Sequence, residues 1–390
     1  MSSPAEQQKQ EPARIKLLQI VNSLHAGGME NIVVEVCNRL DPARFAITIC
    51  CLEKLGAFAE RLRPEIQRLE LAKGPAFRRE DVRRLREVMR EGAFDVVHTH
   101  HLGGLIHAAA ARGLSRTPRI VHSEHIVLHD WELQTRRLWQ RRLLYQAAAW
   151  CVFTVSGQQL AQLRQLRLLH RRMFTLHNGV DLTRFRPPSE NKMDVRARLG
   201  LPADGFIFGK VARFATAKRH VVLVEAFEKA AASQPGLRLL LVGDGGIERE
   251  KVLTRIQASP QRGRIHLAGL QNDPVPWYQA MDVLVSASEN EGLPNAVLEG
   301  MACGLPVLAN EACGVRELAT DGEHGWIGDY TTADQLAAAL SQAASTPAMR
   351  LEAMGAAAGD HARRNFSIEA MLDKYERLYT AAAEGRREIF

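Results

Sequence analysis

Short apolar runs recur along this chain, and between them hydrophobic positions return every three or four residues. Continuous apolar runs bounded by polar turns predict strands buried on both faces, and the 3.6-residue return predicts amphipathic helices. In the N-terminal half this gives strands at 15–21, 45–52, 94–98, 119–123, 149–155 and 173–176, with a helix at 29–40 after the Gly27-Gly28 turn. A Pro-rich polar stretch, FRPPSEN at 185–191, interrupts the pattern. A second set follows, with strands at 206–212, 237–242, 265–267, 283–285 and 306–308 and helices at 221–232, 296–303 and 367–383. Strands alternating with helices form parallel sheets with crossover connections, so the expected fold class is α/β, two doubly wound Rossmann-like domains. The expected division is a disordered tail at 1–14, a domain at 15–186, a second at 187–366 and a terminal helical segment at 367–390. No internal repeat appears beyond this shared architecture.

Composition leaves that picture standing. At 390 residues, 46% hydrophobic and 24% charged, the chain suits two globular domains that each bury a core. Residues 1–16 are polar, with no signal-peptide core, and no run of about eighteen apolar residues occurs, so neither export nor a spanning helix is expected. The six cysteines, Cys37, Cys50, Cys51, Cys151, Cys303 and Cys313, form no C-x-x-C pair and sit mostly in apolar segments, which points to a reducing, cytoplasmic setting. Cys303 is read as packing, because no activating base stands near it in sequence.

Charge changes the picture more. The net charge of +7 is concentrated in residues 1–188, where 29 Lys and Arg stand against 18 Asp and Glu. Arg136, Arg137, Arg141 and Arg142 interleave with Trp131, Leu138, Trp139, Leu143 and Leu144. The favoured reading is a helix that packs its Trp and Leu residues on the sheet and leaves an Arg face in water. The competing reading is peripheral contact with an anionic membrane at the inner face. Nucleic acid is not expected as a partner, since no zinc-ligand spacing or nucleic-acid motif accompanies the charge.

The densest candidate chemistry is SENEGLPNAVLEGMACGLPV at 288–307, which follows an apolar strand and opens a helix. A helix start offers free backbone N–H groups and the positive end of a dipole, suited to a phosphate or a hydroxyl-rich sugar. Glu291 falls in the loop and Glu299 about two turns into the helix, so both can face one cleft about 10 Å apart. Alone, such a pair reads as two solvated charges. With Glu-Gly-Leu-Pro-Asn and Leu-Glu-Gly-Met-Ala-Cys-Gly-Leu-Pro-Val around it, the pair resembles the Glu-x7-Glu signature of retaining glycosyltransferases of family 4, in the GT-B superfamily.

That resemblance covers about 15–380 and implies two facing domains with a deep cleft, a last helix crossing back onto the N-terminal domain, and sugar transfer from a nucleotide-sugar donor, UDP- or GDP-linked, to a hydroxyl of a glycan, lipid-linked or polysaccharide-precursor acceptor. Arg213 and Lys218, in VARFATAKRH, match the family's cation pair on the donor diphosphate. Preorganised cations there stabilise the leaving group. Gly243, Asp244 and Gly245 are similar to its Gly-Asp-Gly donor turn, and Gly27 and Gly28 to the turn facing the diphosphate from across the cleft. Glu291 is implied as a binder of sugar hydroxyls, Glu299 of the ribose, and Gly292, Leu293, Pro294 and Asn295 as the donor loop between them. The loop is shorter than the family's usual Glu-Gly-Phe-Gly-Leu-Pro, which leaves the donor sugar open.

His125 matches the family's active-site histidine, with His122 as the competitor because alternate strand residues face opposite ways. His98, His100 and His101 lack metal-ligand spacing, and His100 and His101 are read as cleft rim. Asn178-Gly179 in HNGVD is read as a turn needing left-handed backbone. No metal or other cofactor is expected, the nucleotide-sugar being a substrate. The resemblance also implies that the departing diphosphate takes the acceptor's proton, a route without a protein nucleophile that fits the absence of any Ser-His-Asp arrangement. Two other classes stay open: a nucleotide-sugar epimerase of the same fold, and a non-catalytic nucleotide-sugar binding protein.

Overall fold

The computed structural model describes residues 14–25, 27–74, 77–311 and 314–390, so the tail expected at 1–14 lies outside the described residues apart from Arg14. Two parallel sheets form. The first runs in the order β3-β2-β1-β4-β5-β6-β7, from strands β1 (Ile15–Val21), β2 (Phe45–Cys51), β3 (Gln67–Glu70), β4 (Val96–Thr99), β5 (Arg119–Glu124), β6 (Ala149–Thr154) and β7 (Met173–Thr175). The second runs β10-β9-β8-β11-β12-β13, from β8 (Phe206–Val211), β9 (Leu237–Val242), β10 (Ile265–Gly269), β11 (Val283–Ser286), β12 (Val307–Asn310) and β13 (Gly325–Gly328). Their central strands are nearly continuous in Val, Ile and Leu because helices cover both faces. β3 and β13 escape the sequence pattern. β3 is a mostly exposed edge strand, QRLE, and β13 is only four residues with glycine at both ends.

Strand order reverses between β1 and β4 in the first sheet and between β8 and β11 in the second. Crevices at such reversals bind ligands at the carboxyl ends of the strands. Both reversals therefore direct the candidate residues toward one region: Gly27 and Gly28 after β1, Arg213 and Lys218 after β8, and Glu291 after β11.

The helix Ile368–Glu384 packs on the first sheet, although its sequence follows the second. Met371, Tyr375, Leu378 and Tyr379 join the cluster of Leu17, Val96, Val121 and Phe153. Arg44 pairs with Glu376 on its outer side, and Val180 bridges Ser367 where the chain returns. Gly179 lies in that return with an ordinary φ. A Cβ there would stand 2.6 Å from the Ser367 carbonyl oxygen, so close approach of two backbones requires this glycine, and the left-handed geometry read from the sequence does not.

The basic helix is also different from the favoured reading. In Thr135–Ala147 and the turn before it, Trp131, Trp139 and Leu143 are 53%, 62% and 64% exposed, whereas Arg141 and Tyr145 point inward. Arg141 can be buried because Glu124 and Glu132 meet its guanidinium. Leu138 and Leu144 do pack against the core, but both tryptophans and Leu143 face outward and a charge faces inward.

Candidate functional site

The helix Asn295–Ala302 starts directly after Pro294, and its preceding loop carries Glu291. Lys218, at the end of a single 3-10 turn, donates to Glu291 Oε1 across the strand-end crevice. Lys210 opens into the same cavity, together with Ser286, Ser288 and Asn295. It sits on β8 and is 2% exposed. Burial, with Lys218 and Arg219 nearby, pulls its ammonium down to about 7, against the opposing pull of Glu291. Sequence reading missed Lys210, although a lysine inside FIFGKV was a visible breach of an apolar strand.

Glu299 opens into an adjoining cavity beside Asn31, Glu35 and Arg184. Burial raises its carboxyl to about 7, while the hydroxyl of Tyr278, donating at 2.7 Å, and then Arg184 and Arg61 act in the opposite sense. The two glutamates thus face two neighbouring cavities, and Asn295 lines both. Asn295 Nδ2 donates to the Gly28 carbonyl at 3.0 Å, and its Oδ1 accepts from Asn178 Nδ2 at 2.8 Å. Leu293 and Pro294 are buried beneath this junction. Gly292 admits no side chain, because a Cβ would stand 2.1 Å from the His125 carbonyl oxygen.

Across the cleft, Gly27 caps the helix Gly28–Arg39. The carboxylate of Glu30 folds back over it: a Cβ on Gly27 would meet Glu30 Oε2 at 2.2 Å. Burial raises the Glu30 carboxyl, opposed by its own backbone N–H and by Arg213 from the other domain. Glu30 therefore covers the helix start at which the sequence suggested a diphosphate. Arg213 itself is exposed.

Gly243, Asp244 and Gly245 form a tight turn locked onto the exit of β8. Gly243 has φ +130°, and a Cβ would meet the Ala212 carbonyl oxygen at 2.2 Å. Asp244 accepts from Gly245 N at 2.7 Å and from Arg249 Nε at 2.8 Å. These contacts hold the backbone that carries Arg213.

His122 and His125 separate clearly. His122 is fully buried, bonded through Nδ1 to Thr99 Oγ1 at 2.8 Å and through Nε2 to Glu124 at 3.4 Å. His125 lies past the end of β5, where its carbonyl abuts Gly292, and its Nε2 is 2.8 Å from Ser123 Oγ. Burial, reinforced by His101, lowers its pKa to about 3, so the ring is neutral. His100, expected at the rim, is buried against Gln19 and Ser123. Cys303 is buried and its thiol raised, as packing requires.

The arrangement is a crevice with two lysines and a glutamate on one side and, on the other, a helix start covered by the Glu30 carboxylate. Among known families, the Glycosyltransferase Family 4 pattern matches residues 26–184 and the Glycosyl transferases group 1 pattern matches residues 191–360. The lipopolysaccharide core biosynthesis glycosyltransferase LpsE of Rhizobium meliloti is 34% identical over 186 residues, 47% of this chain and 52% of its own length. The D-inositol 3-phosphate glycosyltransferase of Thermobispora bispora is 28% identical over 92% of this chain and 91% of its own. In fold, Alr3699/HepE of Anabaena, solved with UDP and glucose, superposes with a TM-score of 0.83 at 20% identity, covering 94% of this chain and all of that one.

Proposed function

The chain belongs to the group 1 glycosyltransferases of GT-B fold, and from that premise we propose that it moves a sugar, with retention at the anomeric carbon, from a nucleotide-sugar to a glycan, lipid-linked or polysaccharide-precursor hydroxyl. The observation that carries this reading is the Lys218–Glu291 pair beside Lys210 at the strand-order reversal of the second sheet. Arg213, Lys218 and Lys210 supply cations where the diphosphate departs, Glu291 takes hydroxyls of the sugar, and Glu299 takes the ribose. The bond from the anomeric carbon to the diphosphate oxygen breaks, the acceptor oxygen bonds to the same face, and its proton passes to the leaving phosphate. No protein nucleophile and no metal enter that route. The UDP held by the fold neighbour makes UDP the first nucleotide to try.

Calorimetry with UDP, GDP and ADP, with and without magnesium, tests the site. One nucleotide is expected to bind without metal and to lose at least tenfold in affinity with Glu299→Ala. Absence of binding by all three would remove the reading.

The outward Trp131, Trp139 and Leu143, with exposed Arg136 beside them, support an acceptor presented on an anionic bilayer. Aromatic rings seat at a headgroup boundary and each nearby Arg adds about 1 kcal/mol there. Among the described residues no helix is long and apolar enough to cross a membrane, so this contact would be peripheral. Vesicles containing phosphatidylglycerol are expected to sediment the protein, and Trp139→Ala with Arg136→Gln to weaken that binding about tenfold or more. Equal binding to purely zwitterionic vesicles would contradict it.

A further inference from the structure

Five side chains behind His125 close into a ring. Tyr379 Oη stands 2.8 Å from His98 Nδ1, and His98 Nε2 stands 3.0 Å from Ser123 Oγ. Ser123 Oγ is 3.2 Å from His100 Nδ1, His100 Nε2 is 2.8 Å from Gln19 Oε1, and Gln19 Nε2 is 3.0 Å from Tyr379 Oη. All five are buried. One of them, Tyr379, comes from the helix that returns from the second domain. His125 touches the ring only at Ser123 Oγ, at 2.8 Å, and at His100 Nδ1, at 3.1 Å.

Proton counting fixes what His125 does there. Burial holds His98 and His100 neutral, so each imidazole has one N–H and one lone pair facing the ring. A hydroxyl donates once, and the Gln19 amide donates through nitrogen and accepts through oxygen. Every ring member is therefore satisfied only if all five bonds run in the same direction. Gln19 donating to Tyr379 at 3.0 Å sets the direction; the reverse would turn an N–H of His100 Nδ1 toward His125 Nε2, 3.1 Å away, against the N–H there. In that direction the single Ser123 proton goes to His100 Nδ1 at 3.2 Å, nearer than the Thr99 carbonyl at 3.5 Å. The remaining contact at Ser123 must then be an N–H donated by His125 Nε2, which leaves Nδ1 with the lone pair. Among the described residues no partner is seen at Nδ1.

We infer that Tyr379 is a positioning residue for the transfer: by closing this ring it fixes His125 as the Nε2–H tautomer, whose Nδ1 accepts a hydrogen bond from a hydroxyl of the bound sugar. This rests on the reading of the cleft as a glycosyl-transfer site. Removing the Tyr379 hydroxyl opens the ring, frees the Ser123 proton to point at His125 Nε2, and releases the opposite tautomer, which donates from Nδ1 and cannot accept there.

The test is Tyr379→Phe in the full chain, with Gln19→Met as a second opening of the same ring. Protein labelled with 15N-histidine reports the tautomer directly, the His125 resonances being identified by their loss in His125→Asn. Wild type is expected to show a protonated Nε2 and a bare Nδ1 at His125. Both ring variants are expected to show a mixed or inverted pattern, with turnover down about 10–100-fold and nucleoside diphosphate affinity unchanged, the size typical of groups that orient a functional histidine. A wild-type His125 protonated at Nδ1, or variants that melt earlier yet keep both tautomer and turnover, would overturn the inference. A wild type that binds no nucleotide and transfers no sugar would instead remove the glycosyl-transfer reading, and the resonance pattern would still decide the ring.

Discussion

Replacing Arg141 by methionine is expected to cost the N-terminal domain about 3–5 kcal/mol of unfolding free energy, among the largest losses a single substitution can produce here. The guanidinium is 2% exposed, its Nε donates to Glu124 Oε1 at 2.8 Å, and its Nη2 donates to Glu132. Tyr145 adds a hydroxyl to the same Glu124 oxygen at 2.6 Å. Burial alone would raise the Glu124 carboxyl, but Arg141 and His122 outweigh it and hold the group well below the usual carboxylate range. Without the guanidinium, among the described residues the buried Glu124 keeps only Tyr145 and His122, and Glu132 only Arg137. The sign with pH follows. A depressed folded pKa contributes stability above the unfolded value of about 4.5 and loses it as pH falls. The wild type's advantage over Arg141→Met is therefore full near neutrality and shrinks as pH falls below about 4.5 and Glu124 takes up its proton. Denaturant titrations at pH 7.5 and pH 3.5 measure this, and adding Glu124→Gln is expected to recover part of the loss. An equal deficit at both pH values would contradict the argument.

The second large effect is catalytic. Lys218→Met is expected to lower turnover about 10²–10³-fold, or roughly 2.7–4 kcal/mol of barrier, the size of losing one preorganised group that meets developing charge. Lys218 is 27% exposed as a side chain and already held by Glu291, so it needs no reorganisation when the diphosphate leaves. Nucleotide affinity is expected to fall far less than turnover, because charge on the leaving oxygen grows only as the bond breaks. Steady-state rates with separate calorimetric binding distinguish the two. Equal losses in both would make Lys218 a ground-state contact.

Much of this was readable from the chain because apolar runs are long and undivided where strands are buried on both faces. β1, β5 and β9 are such cases, and their boundaries match to the residue or nearly so. β3 and β13 were invisible because an exposed edge strand and a four-residue strand carry no such run. At the site, Glu291 and Lys218 were legible as a motif, and the structure brings them together. Glu30 was not, since nothing in its spacing tells that its carboxylate folds over Gly27. The Thr135–Ala147 helix misled because periodicity counts Arg141 as polar and therefore outward, while two acids outside the helix, Glu124 and Glu132, make its burial tolerable. His100 misled for a related reason: the partners that let it be buried, Gln19 and Ser123, come from other strands.

The returning helix Ile368–Glu384 bears on how this protein can be taken apart. Severing the chain within 185–191 does not liberate a self-sufficient N-terminal half, since Met371, Tyr375 and Tyr379 fill that half's core from the far end of the sequence. A chimera that exchanges the first lobe with a relative's must graft two segments, one from each end. Tyr379 travels with the second, and the histidines it serves travel with the first.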